Sequence, residues 1–159
     1  MKTGKIRFTS NKLDVTDPCY DKDVCCRMTV DIEPGVYDYE IITKTTDWGN
    51  RCRYISIIRE GAGPTRRGLS IGTIGVDAGL AGFFENKPDY DDNTWYKICD
   101  YLYENHDSGP RILATDKDNK SLLGCECVFC SSGYGDGSYD VRTLLDAKNV
   151  IVGYEIKFF

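Results

Sequence analysis

Apolar and polar residues alternate with period two over much of the chain, the pattern of half-buried β-strands. In "VCCRMTVDI", Val24, Cys26, Met28, Val30 and Ile32 are apolar, with Arg27, Thr29 and Asp31 between them. The turn "EPG" at 33–35 leads into "VYDYEIITKT", where Tyr37, Tyr39 and Ile41 share a face. "DWGN" at 47–50 turns the chain into "RCRYISIIRE". The spacing predicts a three-stranded meander. "LSIGTIGV" at 69–76 reads as a glycine-interrupted strand that "AGFFE" extends or follows with another, and "SLLGCECVFCS" reads as a further strand. "YDVRTLL" and "VIVGYEIKFF" flank "DAKN" as a hairpin, with Val150, Val152, Tyr154, Ile156 and Phe158 on one face.

One stretch changes period. In "NTWYKICDYLYENH", Trp95, Ile98, Cys99 and Leu102 stand at i, i+3, i+4 and i+7, a helical stripe. The helix is expected over about residues 93–106, with Asp92 or Asn93 as its N-cap and "DSGP" at 107–110 as its end. The expected fold is a single mainly β domain over residues 1–159, an antiparallel β-sandwich or partly open barrel with one principal helix.

Bulk properties narrow the function classes. A chain of 159 residues buries enough surface to fold without a metal or disulfide. A formal net charge of −5 argues against nucleic acid and an anionic membrane as partners. "MKTGKIRFTS" has no apolar core of a signal peptide, and no apolar run reaches membrane-spanning length. A cytoplasmic setting is expected, with the eight cysteines as reduced thiols.

The reactive residue types fit packing better than chemistry. Cys125, Cys127 and Cys130 lie close together, and Cys19, Cys25, Cys26 or Cys52 could complete a zinc tetrahedron. The spacing is not a paired CxxC, and Cys125 and Cys127 share a face with Leu123 and Phe129, where thiols pack as small apolar groups. No metal ligand is assigned. His106 reads as a solvated helix-end histidine, and no nucleophile elbow surrounds Ser131 or Ser132. No catalytic residue is assigned either, and the residues identify no particular cofactor, which stays open.

Three glycine–aspartate segments stand outside the strand pattern: "TDPCY" at 16–20, "GVDAGLAGFF" at 75–84 and "SGYGDGSY" at 132–139. Asp17, Asp77 and Asp136 sit in turn-forming settings, where a carboxylate bonds nearby backbone N–H groups. If the loops converge, the carboxylates could instead hold a hard cation, or the glycines could admit a ligand flanked by Tyr134 and Tyr139. A fourth segment, "REGAGPTRRGLS" at 59–70, sets Arg66 and Arg67 among loop glycines, a pattern suited to phosphate or carboxylate.

The three segments resemble the motifs TDP, VD-[SA]-G-x-AG-F and SGYGDG-x-Y of a family of small bacterial and phage proteins of unknown function. The resemblance runs from residue 16 to the C-terminus, and the last motif is its most specific part. Family members often carry glutamine where this chain has Leu80. The resemblance implies a β-rich single domain and carries no chemistry. It also implies a phage-type sequestering or host-interaction role. The expected function is a non-enzymatic binding protein whose partner is a small anionic or nucleotide-like ligand or another protein. The expected ligand-binding residues are Arg66, Arg67, Asp77, Tyr134, Asp136 and Tyr139. The alternatives are a metal-dependent hydrolase built on Asp77 and Asp136, and a structural protein–protein interaction module.

Overall fold

The computed structural model describes residues 1–105 and 109–159 and arranges their strands in two antiparallel sheets. Strands are numbered along the chain. The first sheet runs β1 (Lys2–Phe8), β4 (Gly35–Thr46), β5 (Gly49–Arg59), β11 (Ile151–Lys157), β10 (Gly137–Leu145), β6 (Arg66–Val76). The second runs β3 (Met28–Asp31), β2 (Lys12–Thr16), β7 (Leu80–Phe84), β9 (Cys127–Ser131), β8 (Ile112–Ala114). Both sheets are open, so the fold is a sandwich and not a barrel.

Alternation sorts side chains between layers. Tyr37, Tyr39 and Ile41 from β4, Ile55 and Ile57 from β5, and Tyr154 and Ile156 from β11 point inward from the first sheet. Leu13, Val15, Ala81, Phe83, Val128 and Cys130 meet them from the second. Burying each large side chain contributes about 1.5–3 kcal/mol, so this layer dominates the stability. The second sheet is covered on its other face too. Leu80, Phe84, Cys127 and Phe129 pack there against Ile98 and Leu102 of the helix α1 (Asp92–Asn105). Burial on both faces is why β7 is an unbroken apolar run, LAGFF, with every residue buried.

The structure departs from the expected elements in definite places. The N-cap of α1 is Asp91, not Asp92 or Asn93: its Oδ1 accepts the Thr94 N–H at 2.7 Å and its carbonyl the Trp95 N–H at 2.9 Å. His106 lies outside the described residues. The meander is only a β4–β5 hairpin, because β3 pairs with β2 in the opposite sheet. β3 is also short. Before it, the Arg27 guanidinium is buried against Asp14 at 3.2 Å and the Tyr20 carbonyl at 3.1 Å, which holds the chain in turns. Leu122 and Leu123 belong to a one-turn helix, α2 (Lys120–Leu123), so the following strand starts at Cys127. Val150 is exposed and precedes β11, while Val152, Tyr154, Ile156 and Phe158 are buried as a face.

Candidate functional site

The three glycine–aspartate segments meet at one end of the sandwich, and they meet through backbone. Asp17 is fully buried. Its Oδ1 accepts the Cys19 N–H at 2.9 Å, and its Oδ2 accepts the N–H groups of Asp77 at 2.9 Å and Ala78 at 2.6 Å. One carboxylate thus satisfies the donors of two turns that would otherwise be orphaned. The third turn joins through the Ser132 N–H, which donates to the Gly79 carbonyl at 2.9 Å. Gly79 adopts φ 67°, a left-handed backbone that strains any residue with a side chain, and packs beside the Gly135 Cα.

The SGYGDG turn is built mainly to hold itself. The Ser132 hydroxyl at 2.7 Å and the Tyr139 hydroxyl at 2.5 Å both donate to the Gly135 carbonyl. The Tyr139 ring stands edge-on to Phe158 at 5.2 Å, and burial pushes its phenol pKa up. Gly133, at φ 63°, fits beneath Phe158 and the Cys52 carbonyl where a Cβ would collide. Tyr134 lies outside, tilted on Phe159 at 5.0 Å with the Arg51 guanidinium 5.8 Å above its ring. The Asp77 and Asp136 side chains are exposed, and neither carboxylate accepts a hydrogen bond among the described residues. Asp17 is committed to backbone donors, and the described residues contain no group of three His, Cys, Asp or Glu side chains placed to hold a metal. The hydrolase alternative therefore draws no support from this end of the fold.

Arg66 and Arg67 are not at this end. They open β6 opposite Leu145 and Leu144, whereas Val76 closes it opposite Gly137. Ten residues of strand at about 3.3 Å each put the arginines about 30 Å from the Asp77 and Asp136 turns. The six expected site residues therefore form two separate groups.

From the arginine end toward Phe159, on which Tyr134 packs, the outer face of the first sheet carries a charged groove. Inward Tyr154 and Ile156 force Glu155 and Lys157 outward, and the register sets Glu155 between Ser56 and Arg142 and Lys157 between Tyr54 and Asp140. Two adjoining depressions of about 320 and 260 Å³ share Tyr54, Arg67 and Glu155. Arg53, Arg142 and Lys157 line the larger, and Glu40, Ser56 and Arg66 the smaller.

Arg67 spans both. Its Nε and Nη2 grip Glu155 bidentately at 2.8 and 3.0 Å, and its guanidinium lies 5.2 Å from the Tyr54 ring centre. Glu155, only 2% exposed, is thereby neutralised, and its hydrogen bonds push the Arg67 pKa further up. Arg66 turns aside and donates to the Asn149 side-chain Oδ1. Arg53 donates its Nε–H to the Phe159 main-chain oxygen at 3.4 Å, Lys157 forms no ion pair among the described residues, and the buried Arg142 Nε has no hydrogen-bond partner there. Arg142 reaches Asp140 only at 3.5 Å. The arrangement supplies positive charge and donors on a rigid sheet, and its lining contains neither cysteine nor histidine.

Arg53, Arg142 and Lys157 are absent from the residues the sequence singles out. Each looks like an ordinary outward charge in a strand, and only the strand order gathers them. The three CECVFC cysteines do not form one group: Cys125 and Cys127 are hydrogen-bonded neighbours in the helix layer, whereas Cys130 faces the inter-sheet core. No helix among the described residues is long and apolar enough to cross a membrane. In comparisons with known families, curated proteins and solved structures, nothing matches this chain.

Proposed function

We propose that this chain is a non-catalytic binding protein that takes a small anionic ligand, of the phosphate or carboxylate class, in the groove on the outer face of the six-stranded sheet. One observation carries the reading. The Arg142 Nε lacks an acceptor among the described residues, and Lys157 beside it forms no ion pair there, in a protein with net charge −5. A buried donor without an acceptor costs about 1–3 kcal/mol, which an anion in the groove would offset. Arg67 contributes field and shape, because its fork is already filled by Glu155. A nucleotide-like ligand fits the same scheme, with its base on Tyr54 or Phe159 at the groove wall. A sequestering role in a phage context would need no more than this.

The test is a screen of inorganic phosphate, citrate and nucleoside phosphates by thermal shift and calorimetry. The variants are Arg142→Met and the double Arg53→Ala/Lys157→Ala. Arg67 is left intact, since removing it strands the buried Glu155 carboxylate and confounds binding with folding. A ligand at 100 times its Kd raises stability by about 2.7 kcal/mol. That gain should appear in the wild type, shrink with added salt, and vanish in both variants at unchanged ligand-free melting temperature. A gain that survives both variants places the site elsewhere. Turnover of the ligand during incubation moves the protein to the enzyme class.

A further inference from the structure

Of the eight free cysteines, Cys25 and Cys26 alone are exposed; the others are buried or half-buried. They are adjacent in sequence, and their sulfurs lie 3.9 Å apart. The turn that carries them is anchored on both sides. The Cys26 carbonyl accepts the Gly75 N–H of β6 at 3.0 Å, and Arg27, the next residue, is held by Asp14 at 3.2 Å. The pair is thus presented to solvent on a fixed backbone.

The spacing selects what can bridge it. Two sulfurs bound at about 2.3 Å to one pyramidal atom with a bond angle of roughly 95° are about 3.4 Å apart, so the pair found at 3.9 Å closes on such an atom by a small side-chain rotation. A disulfide instead needs about 2.05 Å between sulfurs and at least 4.4 Å between Cα atoms, whereas adjacent Cα atoms are only about 3.8 Å apart. A single bridging atom therefore fits better than a sulfur–sulfur bond. Among the described residues no third His, Cys, Asp or Glu joins the pair in a metal-holding group. The occupant must then be an atom that needs two protein sulfurs and brings its own remaining substituent.

We infer that Cys25 and Cys26 form a dithiol binding site for monosubstituted trivalent arsenicals. In the binding step the two S–H bonds and the arsenic–oxygen bonds of R–As=O break, two As–S bonds form, and the oxygen leaves with both thiol protons as one water. Arsenic stays trivalent and no oxidant is consumed. The Cys25 sulfur, hydrogen-bonded to Cys26, pushes the Cys26 pKa up, so the pair keeps a proton to hand on to that oxygen.

Phenylarsine oxide is the probe. Intact mass spectrometry of the wild type should show one phenylarsenic unit gained and two hydrogens lost. That adduct should persist in excess 2-mercaptoethanol and leave with ethane-1,2-dithiol. Cys25→Ser and Cys26→Ser should each release the arsenical to the monothiol roughly 10²-fold more readily, the gain lost with an intramolecular second bond. Peptide mapping of the wild type supplies a readout free of any folding defect in the variants: arsenical treatment should block iodoacetamide at Cys25 and Cys26 and leave Cys19 and Cys99 labelling unchanged. Retention of the adduct by the Cys25→Ser/Cys26→Ser double variant, or blocking at another cysteine pair, overturns the inference. So does a wild-type adduct that the monothiol removes as fast as it does from Cys25→Ser.

Discussion

Two aspartates that look alike in sequence have opposite roles. Asp17 and Asp136 both sit in turn-prone contexts, yet Asp17 is fully buried and accepts three backbone N–H groups, while Asp136 is exposed and accepts none among the described residues. Asp17→Ala should therefore lower stability by about 2–4 kcal/mol, since it orphans donors in two turns at once. Asp136→Ala should stay within about 0.5 kcal/mol. Denaturant melts of the two variants check this, and comparable losses would contradict it. That turn chemistry matters at Asp17 was legible, because aspartate before proline accepts the backbone N–H two residues on, here that of Cys19. Its reach to Asp77 and Ala78 was not, because those donors lie 60 and 61 residues away. Glu85 repeats the lesson. It is buried and accepts from Thr9 and Ser10, 76 and 75 residues earlier, in a segment that reads as a plain strand end.

At the scale of elements, strands with one buried face and the amphipathic helix were readable and those without a full face were not. β4, β5, β10 and β11 alternate over enough residues to be recognised, and α1 shows its stripe through Ile98 and Leu102. β1 escaped because only Ile6 and Phe8 of its seven residues are buried. β8 is three residues long, too short for any period to show. The apolar alternation before Met28 misled, since a buried ion pair and not a ladder fixes that segment. The helix start yields a prediction. The Thr94 N–H bond holds the Asp91 carboxyl pKa below its ordinary value. A carboxyl depressed in the folded state adds stability above its unfolded pKa and loses it as pH falls through the folded one. Asp91→Ala should thus melt lower than wild type at neutral pH, and the gap should close in acid. A gap constant down to pH 2 would show that Asp91 acts by packing alone.

For the whole molecule, burial of many weak acids sets the response to alkali. Burial pushes the Cys127 and Cys130 thiols well above their ordinary range, Cys19 and Tyr20 up to about 12, and Tyr39 and Tyr154 upward. In the unfolded chain thiols ionise near about 8.5 and phenols near about 10. The unfolded state therefore sheds protons first, and the stability from these groups, complete below the unfolded values, declines as pH rises. Lys87, whose pKa burial lowers, and Cys125, whose thiol pKa the hydrogen bonds of Cys127 and Tyr90 lower, act in the opposite direction but are outnumbered. Melting temperature should hold steady up to about pH 8 and then fall steadily toward pH 11. A temperature that rises over that range would mean Lys87 and Cys125 outweigh the other acids. Global charge was legible in composition, but its local reversal on the outer sheet face depends on strand order and could not be. That reversal is the basis of the proposed function, and an amide chemical-shift titration tests it most directly. Isotope-labelled protein is titrated with the anion that scores best in the thermal screen. Perturbations should concentrate at Arg53, Tyr54, Arg142, Glu155 and Lys157, with the Arg142 side-chain Nε–H shifting downfield as it gains an acceptor. Perturbations gathered instead at Asp77, Gly79 and Asp136 would contradict the account and return the site to the glycine–aspartate turns.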